Sequence, residues 1–224
     1  MHDAMRRRIL TLAAGGALGA GGLSGFMSRA LASGDLPKTS QVHRLEGSAT
    51  VNGQPAKVGT PVKTGDRIAT GPSSQAVVVL GKDAFLLREK TSIEARGAEG
   101  VLTELLISGG KVLSVFAKKP VSIKTSTATI GIRGTGAYLE VDENSVYFCL
   151  CYGEALLQGP GMADQVVKTT HHEQPMLIRA QGGTMHAESA AFANHSDAEL
   201  ILLESLVGRE PPFMADGQYP SKKY

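Results

Sequence analysis

Two cysteines and two histidines are the residues of this 224-residue chain best equipped for chemistry. Cys149 and Cys151 are its only cysteines, set in S-V-Y-F-C-L-C, an alternating run that reads as a β-strand. Positions i and i+2 of a strand share a face, with Cα atoms roughly 6.6 Å apart. That is near the upper limit for a disulfide, and the two side chains run parallel, so a bridge between them would be strained. His171 and His172 follow twenty residues after Cys151. Thiolate and imidazole together suit a soft or borderline metal ion. Adjacent histidines on a strand point in opposite directions, however, so one of the two misses a shared site. Three readings stay open from the residues alone. These are a metal site on Cys149, Cys151, His171 and His172, a redox or mixed-disulfide pair, and two buried structural thiols beside Tyr147.

Catalytic arrangements are poor elsewhere. The chain has no G-x-S-x-G elbow and no H-E-x-x-H pair. His172-Glu173 could exchange protons, but no nucleophile accompanies them. His43 and His186 are isolated, and His195 reads as part of a helix start. Gly131-Ile132-Arg133-Gly134-Thr135-Gly136 could suggest a phosphate cradle, yet its spacing is not G-x-G-x-x-G. No helical pattern follows to supply amide donors. It reads instead as a corner between two strands, with Gly131, Gly134 and Gly136 taking positive φ or admitting a close neighbour and Arg133 held against the structure. The chain is expected to be non-enzymatic and to need no cofactor.

The elements that must position these residues are short strands. Val, Ile, Leu and Ala recur in brief runs, aromatics are scarce, Trp is absent and 27 glycines punctuate the chain. Gln41–Gly47 and Ser48–Asn52 read as a strand pair, with Asn52-Gly53 as a hairpin turn. Further strands are expected over 56–62, 66–69, 75–80, 84–88, 92–95, 101–107, 111–117 and 121–124, each bounded by turn residues. The Cys-bearing strand spans 145–151, with Glu154–Gln158 pairing back on it across Tyr152-Gly153. Two more strands flank the histidine pair between Val166 and Arg179. Strands at this spacing suit a sandwich or a stacked β-coil. One helix is expected over 196–207. Ser196 caps it, Glu199 completes a capping box, Leu200, Leu203 and Leu206 form its stripe, and Gly208 ends it. It reads as a clasp on the β-domain, followed by a loose tail over 214–224.

The N-terminus reads as an address. Met5-Arg6-Arg7-Arg8-Ile9-Leu10 opens an Ala/Gly/Leu run, and Ala30-Leu31-Ala32 offers a cleavage site. Residues 1–32 therefore read as a signal peptide of twin-arginine type, with an ordinary secretory signal as the alternative. The run is broken by glycines and by Arg29, so no stable membrane span is expected after processing. The leader carries +3 of the formal net charge of +2, leaving the remainder at −1, which argues against a nucleic-acid partner.

Four stretches together resemble FecR-type domains. Gly65-Asp66-Arg67-Ile68-Ala69-Thr70-Gly71 is similar to that family's opening G-D-x-I-x-T-G turn. Ser74–Leu80 and Gly109–Val112 resemble its later strands, and Ile132-Arg133-Gly134-Thr135 its closing signature. The resemblance covers about 42–158, with 159–213 as a β extension carrying the clasp helix. It implies an all-β fold of stacked, bent antiparallel strands, solenoid- or sandwich-like, in a bacterial periplasmic protein that takes part in signal transduction. Gly65, Asp66, Gly71, Gly131, Arg133, Gly134, Thr135 and Gly136 would be its structural motif. Family members relay signals through a cytoplasmic anti-sigma segment, but only five residues precede the arginines here. The expected partner is thus another envelope protein or a cell-wall polymer.

Overall fold

The computed structural model describes residues 39–98 and 100–214. The signal peptide expected at 1–32 and the tail beyond Met214 lie outside the described residues. The protein is β-rich, with one α-helix near the C-terminal end of the described residues. In chain order the strands are β1 (Gln41–Glu46), β2 (Ala49–Val51), β3 (Gln54–Pro55), β4 (Arg67–Thr70), β5 (Gln75–Leu80), β6 (Asp83–Leu87), β7 (Ser92–Ala98) and β8 (Val101–Val115). They continue as β9 (Pro120–Lys124), β10 (Thr129–Arg133), β11 (Gly136–Val141), β12 (Ser145–Gln158), β13 (Gln165–Thr169), β14 (Met176–Gln181) and β15 (Thr184–Ser189). Helix α1 (Asp197–Leu206) and a 3-10 turn (Pro212–Met214) complete the described chain.

Pairing arranges these strands in two layers. Sheet I runs β1-β5-β6-β8-β11-β12-β14-β15, and sheet II runs β3-β2-β4-β7-β8-β9-β10-β12-β13. β8 and β12 belong to both. Each passes from one layer to the other at a glycine with left-handed backbone, Gly110 (φ 94°) in β8 and Gly153 (φ 101°) in β12. A Cβ on Gly110 would lie 2.4 Å from Thr91 Cα, so both conformation and space demand glycine there.

The inner faces of the two sheets form the main core. Val78, Phe85, Leu87, Leu139, Phe148 and Leu150 of sheet I meet Ile93, Leu105, Ile123, Ile130 and Leu157 of sheet II. The outer face of sheet I is apolar too, which explains the unbroken Ala-Val-Val-Val-Leu of β5. Val77, Val79, Leu86, Leu113, Tyr138, Cys149 and Cys151 pack there against Leu200, Leu203 and Leu206 of α1. The expected capping box is present, with Ser196 accepting from Glu199 N and Glu199 accepting from Ser196 N at 2.8 Å. The order of layers is thus sheet II, sheet I, helix. Among the described residues no helix is long and apolar enough to cross a membrane.

Several expected pairings differ. β1 pairs with β5 and not with the strand that follows it. Gly47 (φ 75°) turns the chain out of sheet I, where Ser48 N donates to Ser74 Oγ at 2.9 Å, and β2 joins sheet II. The Asn52-Gly53 hairpin forms as expected between β2 and β3. Residues 56–62 form no strand but line β1 through a bridge between Gln41 and Pro61 and through backbone bonds from Val42 N to Thr60 O and from Gly59 N to Val42 O, both at 2.8 Å. Glu154–Gln158 does not fold back on the cysteine strand but continues it into sheet II. β8 and β9 are parallel, in contrast to the all-antiparallel expectation. β8 bends out of sheet II at Gly109-Gly110, and the chain then re-enters sheet II beside the start of β8, where Lys119 Nζ donates to Leu102 O at 2.8 Å. β15 was not expected. The Gly182-Gly183 turn (φ 59° and 79°) makes it a hairpin partner of β14.

The motif residues fall at the joints between layers. Asp66 is buried and accepts hydrogen bonds from Asn52 Nδ2 and Lys63 N, both at 2.8 Å, which locks the turn begun by Gly65 (φ 96°). Gly71 N donates to Ser48 O at 2.9 Å. Gly134 (φ 64°) forms the corner by which β10 in sheet II becomes β11 in sheet I. Thr135 is buried, and its carbonyl accepts from Phe116 N at 2.9 Å. Gly136 lies against the Tyr152 ring, 2.5 Å from where its Cβ would be. Gly131 and Arg133 depart from expectation. Gly131 is mid-strand with only ordinary contacts for a Cβ, and Arg133 is exposed. Alternation explains both, since Ile130 and Ile132 take the inward positions of β10.

A candidate metal centre between sheet and helix

Cys149 and Cys151 project from β12 toward α1, on the outer face of sheet I. Neither has any exposure. Two histidines arrive above them from separate segments. His172 comes from the bend joining β13 to β14, where its N–H donates to Cys151 O at 3.0 Å. Its φ is 55°, a conformation uncommon for a side-chain-bearing residue. His195 comes from the segment just before the Ser196 cap of α1. The four side chains converge on one point, with their ligand atoms all within 4.8 Å of one another. Cys149 Sγ lies 3.6 Å from His172 Nδ1, Cys151 Sγ lies 3.5 Å from His195 Nε2, and the two nitrogens are 3.1 Å apart.

The second ring nitrogen of each histidine fixes its tautomer. His195 Nδ1 lies 2.8 Å from Ala193 O, a carbonyl that can only accept, so this nitrogen carries the proton. His172 Nε2 lies 3.0 Å from Asp197 Oδ1 and donates to that carboxylate. The remaining nitrogens, His195 Nε2 and His172 Nδ1, therefore turn lone pairs toward the two sulfurs and toward each other. Ligating histidines are commonly held in this way, with carbonyl or carboxylate behind the ring. Aromatic rings close the site. Tyr138 stacks on His195 at 4.4 Å between centroids, and Phe192 lies 4.5 Å from His195 and 4.7 Å from His172.

Protonation reflects the crowding. A hydrogen bond from the Cys151 thiol, opposed by burial and reinforced by His172 and His195, brings the Cys149 thiol down to about 4. Burial, then the neighbouring sulfur, pushes Cys151 well above the usual thiol range. Burial works against protonating His172, but hydrogen bonds to Asp197 and Cys149 outweigh it and raise its pKa. Burial likewise opposes ionisation of Asp197, and the donors His172 and His171 reverse that effect.

Of the four residues expected to ligate, the structure brings Cys149, Cys151 and His172 together. His171 does not join them. Its Nε2 approaches Asp197 Oδ1 at 2.8 Å, the same oxygen that His172 Nε2 meets. His195 stands in the fourth position. The signal for it was a histidine beside a helix cap, a feature of no value until the fold places that cap over the cysteine strand. Because His172 sits in a bend, the argument that neighbouring strand histidines diverge applies only in outcome.

Cys149, His172 and Asp197 also stand in the order of a thiol-hydrolase triad. The sulfur, however, lies under α1 and the aromatic cap. The surface grooves described lie elsewhere, one along β9 and β10 and one between the histidine bend and β15.

No family model and no curated protein matches the chain. Among solved structures it is similar to two crystal structures of a candidate anti-sigma factor from Parabacteroides distasonis ATCC 8503, at 10% and 11% identity and a TM-score of 0.46 in each. The similarity covers 55% of this chain, and the chain spans only 59% of the length of those structures.

Proposed function

We propose that this protein is a non-enzymatic binding module built around a buried transition-metal centre, with Cys149, Cys151, His172 and His195 as its ligands. One observation carries the reading. Tetrahedral bonds of ordinary zinc-site length predict ligand separations of about 3.3 Å between nitrogens and about 3.5 Å between nitrogen and sulfur. The separations found are 3.1, 3.5 and 3.6 Å. Sealing of both thiols supports a holding role over a reacting one. The test is the metal content of the full chain purified without chelator. About one ion per chain is expected by the site's four-ligand closure. The Cys149→Ser/Cys151→Ser variant should carry none while keeping its β-rich circular dichroism. Wild-type protein with two readily titrated thiols and no metal would overturn the reading.

The β-domain around the centre fits a FecR-type module of the bacterial envelope, exported by its basic leader and contacting another envelope protein or a cell-wall polymer. Support comes from the motif residues Gly71, Gly134, Thr135 and Gly136, which fall where the chain passes between layers. It comes also from the outermost strands β3, β13 and β15, whose edges could accept an added strand. Val166 on β13 is an exposed apolar residue at such an edge. Fractionation of a bacterial host expressing the full chain checks the location, and retention in the cytosol would count against it.

A further inference from the structure

Resting on that metal-binding reading, we infer that the ion is Zn2+ and that it fastens two segments outside the strand ladders, the bend 170–175 and the helix lead-in 192–196, onto the cysteine strand.

Charge selects the ion. Two thiolates and two neutral imidazoles neutralise a divalent cation, and a neutral centre is the one that a site with no solvent exposure favours. A monovalent copper ion in the same cage would leave a buried negative charge. The tetrahedral, mixed nitrogen and sulfur set is that of closed zinc sites, and zinc adds no redox demand.

Connectivity assigns the role. Twenty residues separate Cys151 from His172, and twenty-two separate His172 from His195. The ion therefore ties the cysteine strand to the middle of a bend that the ladders hold only at its ends, where Thr169 pairs with Gly153 and Met176 with Phe148, and to a lead-in outside every ladder. The two segments it would hold make few backbone bonds of their own. The bend contacts β12 through His172 N and Cys151 O, and the lead-in is held by side chains of the sheet: the Tyr147 hydroxyl donates to Ala191 O at 3.0 Å and accepts from Ala193 N at 3.1 Å, Arg88 Nη2 donates to Asn194 O at 2.7 Å, and Glu140 accepts from Asn194 Nδ2 at 2.6 Å. Both segments also contain a left-handed residue other than glycine, His172 (φ 55°) and Asn194 (φ 61°). Such conformations persist where surrounding contacts over-determine them. Without a cation, the two ring nitrogens 3.1 Å apart are joined by at most one shared proton, a weaker tie than four bonds to one ion. The sandwich itself rests on a separate core and should not need the ion.

The experiment compares hydrogen exchange of the full chain as purified, after removal of metal with phenanthroline under reducing conditions, and after addition of ZnCl2. Peptides covering 170–175 and 190–199 should exchange about tenfold faster or more without metal, peptides from β5, β8 and β11 should be unchanged, and ZnCl2 should restore protection. Zinc bound without any change in those two segments would overturn the fastening and leave the metal site standing. Loss of protection throughout the molecule would also overturn it, because the ion would then hold the whole fold. Copper in the purified protein would overturn the choice of ion, and absence of any metal would overturn the reading on which this inference rests.

Discussion

His172 Nδ1 and His195 Nε2 stand 3.1 Å apart, each on a ring whose other nitrogen already donates to an oxygen. Only a proton or a cation can sit comfortably between them. His195→Ala should therefore abolish stoichiometric metal binding, whereas His171→Ala should leave it intact. Metal content of the two variants, each checked for folding by circular dichroism, decides the point. Equal loss in both would show that Asp197, which both His171 and His172 touch, and not His195, controls the site.

Asp197 acts through His172 and holds that ring in one tautomer. Asp197→Asn keeps the size but removes the charge. Metal affinity should fall roughly 10- to 100-fold, with stoichiometry retained at saturating metal, as is usual when such a supporting group is lost. Competition against a chromophoric chelator measures this. The visible ligand-field bands of the Co2+-loaded variant should keep their tetrahedral intensity, whereas a purely structural defect would alter them.

Much of this fold is written in local pattern. The capping box, the Asn52-Gly53 hairpin and the alternation of the cysteine strand need nothing beyond neighbouring residues. The layer crossings are different. Val101–Val115 reads as two strands because Gly109-Gly110 looks like a turn, when it is a bend within one strand that changes sheets. The same confusion splits β12 at Gly153. For the site, Cys149 and Cys151 announced themselves by sharing a strand face. His195 could not, since its place depends on where α1 lands, and that is set by the apolar outer face of sheet I. Arg133 was drawn inward on the strength of flanking glycines, although the two isoleucines beside it already claimed the interior.

Glu140 supplies the clearest pH dependence. Burial alone would raise its pKa, but Asn194, Tyr138 and Lys111 donate to it or pair with it, and its carboxyl lies below the usual range. Asn194 Nδ2 donates at 2.6 Å and Tyr138 Oη at 2.8 Å. A depressed carboxylate stabilises the fold above its unfolded pKa of about 4.3, and that contribution fades as pH falls through the lower folded value. Glu140→Gln should thus cost on the order of 1 kcal/mol at pH 7. The difference from wild type should shrink below about pH 4 as Glu140 gains its proton. Urea titrations at several pH values check this, and a gap that widened in acid would contradict it.

Two glycines should respond oppositely to the same change. Gly110→Ala forces a left-handed alanine against the Thr91 backbone and should cost roughly 2–3 kcal/mol or more. Gly131→Ala meets only atoms at 3.8 Å and beyond in an extended strand, and should be neutral or stabilise by up to about 1 kcal/mol. Thermal melts of the two variants make the comparison. Similar losses in both would show that the resemblance motif, and not local geometry, governs Gly131.

β8 and β12 each supply rungs to both ladders of the sandwich. The two layers are therefore joined by continuous backbone at Gly110 and at Gly153, and not by side-chain packing alone. On β12 the same strand that carries both sulfurs also carries the rungs of edge strand β13, so a continuous backbone runs from the rim of sheet II to the buried site.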